Sequence, residues 1–148
     1  MLSLKQIRYQ VEKRAPLVGA EPDDLPAYGS SRDFGYPHIE VDESHYHWVV
    51  IERGQELERR TFAELDDLLF TIFASATHSI ASRWELAHRV PNQDSRRLLF
   101  QRQIELLSRL DSSWSDRQRQ HLDVILREHP FRDPWASREA GRPTSGCS

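Results

Sequence analysis

Two hydrophobic rhythms occupy separate stretches of this chain, and their separation limits the possible folds more than any motif does. Between Pro37 and Arg60, polar and apolar residues alternate, with a β-branched and aromatic run at the centre, as in a half-buried sheet. From Phe62 onward, apolar residues recur every three or four positions, as on one face of a helix. A doubly wound sheet interleaves the two rhythms. Here they are segregated, so the expected class is α+β, with the later helices packed on one face of an antiparallel sheet. A chain of 148 residues has room for one domain and needs no disulfide or metal to hold its core. The lone cysteine, Cys147, excludes a disulfide framework and a multi-cysteine zinc site.

Within the alternating stretch, Pro37–Val41, His45–Glu52 and Glu56–Arg60 read as three strands of a meander, with turns at 42–44 and 53–55. The charge on the last strand suits a sheet edge, where it discourages stray pairing. Ahead of the sheet, Ser3 and Gln6 form a capping box for a short helix whose buried stripe is Leu4, Ile7 and Val11. Behind it, Thr61 with Glu64 predicts the start of a helix whose apolar face continues to Val90, with a break near Ser75–Ser79 and an end at Pro91. Asp94 opens another helix, and Ser115 with Gln118 predicts the start of a last one. Phe131 and Trp135 are expected to pack back onto the body. The domain is therefore residues 1–135, and residues 136–148 read as a disordered tail.

Residues 15–36 break every rhythm. Pro16, Gly19, Pro22, Pro26, Gly29 and Gly35 interrupt them, yet Leu17, Leu25, Tyr28 and Phe34 are not loop-like and are expected to tuck inward. Charge is concentrated here as well. From Ala15 to His45 there are seven acids and one base, a net of −6, while the remaining chain is +3 and the total only −3. Aromatic residues lie among these carboxylates. Asp23, Asp24, Tyr28, Phe34, Tyr36, Glu40, Asp42, Glu43, Tyr46 and Trp48 therefore make up a candidate protein-binding face, in which rings anchor and charge steers. The plainer alternative is a solvated loop over a few core aromatics.

Other chemistries find less support. His45 and His47, two apart on one strand, share a face and, with His38 or Glu40, offer a metal-site alternative, a small metal-dependent enzyme; packing beside Tyr46 and Trp48 explains them equally simply. His78 and His88 do not form an HExxH pair. There is no GxSxG elbow and no phosphate loop, so no catalytic residue and no cofactor is assigned. Arg96, Arg97, Arg102 and Arg109 alternate with acids, which fits a salt-bridged surface rather than a nucleic-acid partner. The N-terminus lacks the pattern of a signal peptide, and no apolar run approaches the ~20 residues of a membrane span. A cytoplasmic protein with no membrane partner is the expectation.

Four stretches carry a resemblance. Asp33-Phe34-Gly35-Tyr36-Pro37-His38-Ile39-Glu40-Val41, Val49-Val50-Ile51-Glu52-Arg53-Gly54, Asp94-Ser95-Arg96-Arg97-Leu98-Leu99-Phe100 and Glu128-His129-Pro130-Phe131-Arg132-Asp133-Pro134 resemble the immunity protein 63 family of bacterial polymorphic toxin systems. The resemblance runs from about Met1 to Trp135. It implies a non-catalytic cytoplasmic protein that binds one cognate toxin domain, encoded by the adjacent upstream gene, and blocks it. The family has no catalytic signature, so no residue inherits a role. A non-catalytic adapter with another protein partner is the competing reading of the same surface.

Overall fold

The computed structural model describes residues 1–134. Trp135, the 136–148 tail and Cys147 lie outside the described residues. The elements run α1 (Leu4–Glu12), α2 (Ala15–Val18), a 3-10 turn (Pro22–Asp24), β1 (Ala27–Tyr28), β2 (Pro37–Val41), β3 (Tyr46–Glu52), β4 (Gln55–Phe62), α3 (Leu65–Ala87), α4 (Ser95–Ser108) and α5 (Ser112–Glu128). The fold is α+β, as expected from the segregated rhythms.

The capping box at Ser3 is present in both directions. The Gln6 amide donates to the Ser3 hydroxyl at 3.2 Å, and the Ser3 amide donates to the Gln6 side chain at 2.8 Å. A cap of this kind stabilises a helix start by about 1 kcal/mol. Ile7 and Val11 then bury fully.

The sheet has four strands in the order β1-β2-β3-β4, one more than the meander predicted from sequence. β1 is the addition. It is two residues long and pairs in parallel with β2, Ala27 opposite His38 and Tyr28 opposite Ile39. Gly29 closes this pairing by donating its amide to the Ile39 carbonyl at 2.8 Å. It takes φ +86°, and a Cβ there would lie 3.0 Å from Leu4, so glycine lets α1 approach the strand. β4 is the charged edge. Its register with β3 shifts between Val50 and Ile51, leaving Leu57 as the extra residue of a bulge.

Strand alternation gives the sheet two distinct faces. Ile39, Tyr46 and Trp48 join the core, with Val41, Val50 and Phe62 packed against it. His38, Glu40, His47, Val49, Arg59 and Thr61 lie on the other face. The core face packs on α3, whose Leu68, Leu69, Ile72, Phe73 and Ala76 are buried. The pair α4–α5 packs on α3 as well, through Leu106, Leu107 and Trp114. Trp114 stacks on Phe73 at 6.0 Å and donates its indole N–H to Asp66 at 3.0 Å.

Three helix boundaries differ from expectation. Thr61 and Phe62 belong to β4, paired with His47 and Tyr46, so Thr61 cannot cap; α3 starts after Glu64, which makes no side-chain cap. Asp66 and Asp67 in its first turn complement the helix dipole instead. α3 also runs unbroken through Ser75–Ser79, and it stops at Ala87, before Pro91. There the Thr77 hydroxyl donates back to the Phe73 carbonyl at 2.6 Å without interrupting the helix. Finally, α5 is capped by Asp111, which accepts from the Ser113 amide at 2.8 Å, so Ser115 and Gln118 lie buried inside the helix.

Candidate functional site

The irregular segment is more ordered than its composition suggested. Besides α2, the 3-10 turn and β1, it contains a loop fastened at its end to the β3–β4 hairpin. The Gly35 amide donates to the Ile51 carbonyl at 2.9 Å, and the Gly54 amide donates to the Asp33 carboxylate at 3.3 Å. Between these ties, Asp33, Phe34 and Gly35 all take positive φ, +56°, +56° and +74°. Left-handed backbone costs a phenylalanine about 1–2 kcal/mol. Phe34 is also 87% exposed, contrary to the expectation that it tucks inward; Leu17, at 55%, is exposed too. Leu25 and Tyr28 do pack against the core.

The other candidate residues separate into outward-facing and structural groups. Tyr46 and Trp48, only 4% and 5% exposed, are core residues and present no ring to a partner. Tyr46 accepts the Leu2 amide at 2.9 Å. Tyr28 is half-buried, and its burial pushes the phenol up to about 12. Tyr36 fixes the 3-10 turn, its hydroxyl donating to the Leu25 carbonyl with the Pro22 carbonyl 3.2 Å away, while Arg32 lies 4.2 Å over its ring. Asp24 is buried and bound by Arg83, whose guanidinium holds its carboxyl below the usual range. Asp23 and Glu43 are exposed. Asp42 builds the β2–β3 turn by accepting the Ser44 and His45 amides, each at 2.8 Å.

Three of this segment's seven acids meet a basic side chain from outside it. Arg83 meets Asp24, Arg59 meets Glu40 at 3.4 Å, and His47 meets Asp42 at 2.6 Å. The acids are also spread out. Phe34 precedes β2, and Asp42 and Glu43 follow it, so the ten residues do not converge on one patch.

The histidines are individually engaged. His38 is buried and meets Glu40 at 2.7 Å, lowering the Glu40 carboxyl below its ordinary value. His47 meets Asp42 through Nε2 and Thr61 through Nδ1, the latter at 2.9 Å. His45 lies just outside β3, its ring 6.5 Å from that of His47. Among the described residues, no three His, Cys, Asp or Glu side chains are placed to hold a metal ion. Among the same residues, no helix is long and apolar enough to cross a membrane.

A feature that the sequence reading missed lies on the helix side of the sheet. The core face of β3–β4 and the α4–α5 pair both rest on α3, and between them is a cleft of about 1070 Å³. Phe62, Phe70, Phe100 and Ile125 supply apolar lining, and Arg60, Arg96 and Arg117 supply charge, with Glu58 the one acid in the lining among the described residues. Gly35 and Pro37 line it as well, which places the Phe34 loop at its lip. The one hint in the sequence is Phe70, an aromatic beside the main α3 stripe of Leu68, Ile72 and Phe73.

No curated protein and no solved structure matches this chain. A family model described as Immunity protein 63 matches residues 42–124. The matched span runs from the β2–β3 turn through most of α5 and takes in the 49–54 and 94–100 stretches; the 33–41 and 128–134 stretches fall outside it. Since the match covers more than half of the sequence, the chain belongs to the Immunity protein 63 family.

Proposed function

We propose that this protein binds and neutralises one cognate toxin domain in the cell that makes both, acting without catalysis by covering the toxin's active-site cleft. Family membership supports the general role. The observation that carries the surface assignment is Phe34, an aromatic side chain 87% exposed on a left-handed backbone and fastened to the β3–β4 hairpin. Strained backbone that the surrounding structure holds in place is concentrated at binding and switch sites. An exposed, pre-positioned ring also loses little freedom on binding.

Asp23 and Glu43, both exposed, supply negative charge for steering basic side chains of the partner, Glu43 from the turn beyond the other end of β2 that Asp42 shapes, while Glu40 is taken up by His38 and Arg59. Tyr28 and Tyr36 hold the loop rather than meet the partner. Asp24, Tyr46 and Trp48 act from beneath, as core.

The test is to express the C-terminal domain encoded by the immediately upstream gene with and without this protein. Survival only in its presence, with a co-purifying complex, is the expected result. Growth arrest despite co-expression, or no complex, would remove the reading.

A further inference from the structure

We propose that the cleft above α3 takes up a segment of the partner protein that carries both apolar and carboxylate side chains. This rests on the immunity reading and names what the partner brings to the site.

The first argument is the lining. Phe62 and Phe70 are only half-buried although they sit beside a closed core, and Phe100 and Ile125 are half-buried across the gap. Val124, also in the lining, is 48% exposed. A contiguous apolar surface of this kind in a concave site marks a place where another molecule packs.

The second argument is the set of donors. Arg117 lies 4.2 Å over the Phe70 ring and gives one nitrogen to Asp67 at 2.8 Å. Arg60 lies 6.0 Å from the Trp48 ring centre and gives only its Nε to Glu58, at 3.0 Å. The other nitrogens of both guanidinium groups have no acceptor among the described residues. Neither has the buried indole N–H of Trp48, which also lines the cleft. A guanidinium offers five N–H donors in a planar fork, and a carboxylate is the group that meets such a fork with two bonds at once.

The third argument is sign. Arg96 is already committed, to Asp94 and to the His129 and Pro130 carbonyls. Of the other two arginines in the lining, Arg117 meets Asp67 and Arg60 meets Glu58 through one nitrogen each, so both keep donors turned to no acid among the described residues. A carboxylate-bearing segment meets the free nitrogens of Arg60 and Arg117 favourably and a basic one does not. The cleft thus complements the Phe34 loop at its lip: the ring anchors the partner outside, and the cleft receives an acidic, apolar segment within.

The probe is the C-terminal domain of the upstream-encoded protein, and the first measurement is hydrogen exchange of the wild-type complex. Protection of residues 70–79 and 117–125 is expected. The double variant Arg60→Gln with Arg117→Gln should bind at least tenfold more weakly while keeping the wild-type thermal midpoint. Ser75→Trp, which fills the cleft from α3, should do the same. Protection confined to residues 23–45, with unchanged affinity in these variants, overturns this inference and leaves the immunity reading in place. If the wild-type protein neither binds nor protects, both fall.

Discussion

Arg83, near the end of α3, holds Asp24 with both terminal guanidinium nitrogens, at 2.6 and 2.8 Å. The two residues are 59 apart in sequence, and the pair ties the 3-10 turn to the central helix. Asp24 also accepts the Glu21 amide at 2.9 Å. The carboxylate is buried, while the arginine side chain is about half exposed.

That difference in burial predicts an asymmetry. Asp24→Asn weakens a charged hydrogen bond, and the released Arg83 can turn to water, so the expected cost is about 2 kcal/mol. Arg83→Leu instead leaves a buried carboxylate without its cation, and the cost should reach about 3 kcal/mol. Urea unfolding of the two variants is the measurement. Equal costs, or the reverse order, would show that the pair does not anchor the turn.

Phe34 lets stability and binding be separated. Phe34→Gly removes an exposed ring and relieves a φ of +56°, so folding stability should stay level or rise by up to about 1 kcal/mol. Binding to the upstream-encoded domain should fall at least tenfold, since aromatic anchors dominate interface energetics. Calorimetric binding alongside a thermal melt reads both. A destabilised glycine variant would mean that the ring packs in solution and is not a free anchor.

Much of this fold could be read from local pattern. The Ser3–Gln6 box and the Asp94 cap were legible because each is decided within one turn of chain. The identical pattern at Thr61–Glu64 misled because strand pairing to β3 outcompetes a local cap, and at Ser115–Gln118 because Asp111 had already capped the helix four residues earlier. β1 was not legible, since two residues carry no period and their partner lies eleven positions on. Phe34 was singled out by type, but its exposure depends on ties to Ile51 and Gly54. The cleft exists only through the relative placement of the sheet and α4–α5 on α3, which no local signal encodes.

Gln103 joins α4 to both of its neighbours. It is 1% exposed, donates to the Ala74 carbonyl of α3 at 2.9 Å, and accepts from Gln118 of α5 at 3.3 Å. Gln103→Leu keeps the volume but strands the Gln118 amide, at an expected cost of about 2 kcal/mol. Gln103→Leu with Gln118→Leu removes both polar groups and should recover part of that loss. A double-mutant cycle in urea checks the coupling; strict additivity would mean that the two amides act independently.

Acid should release one segment before the rest of the fold. Residues 129–134 are fastened to α4 by carboxylates. Asp94 accepts the Arg132 amide at 2.8 Å, and Asp133 accepts the Asp94 amide at 2.8 Å and Arg97 at 2.9 Å. The Arg96 guanidinium holds the Asp94 carboxyl well below its ordinary value, and Arg97 lowers the Asp133 carboxyl. A carboxyl with a lowered folded pKa contributes stability that is fully present above its unfolded value, near 4, and lost as pH falls through the folded value. The attachment should therefore be constant from pH 7 to about 5 and weaken below about 4. Phe131, which packs 6.2 Å from Phe100 and lies under Arg97, should then separate from α4. Hydrogen exchange in stepwise acid would register this as early loss of protection at the start of α4, with β2 and β3 still protected. Asp94→Asn should produce the same local loss at pH 7. If that variant keeps full protection at the start of α4, the carboxylate is not what holds the segment.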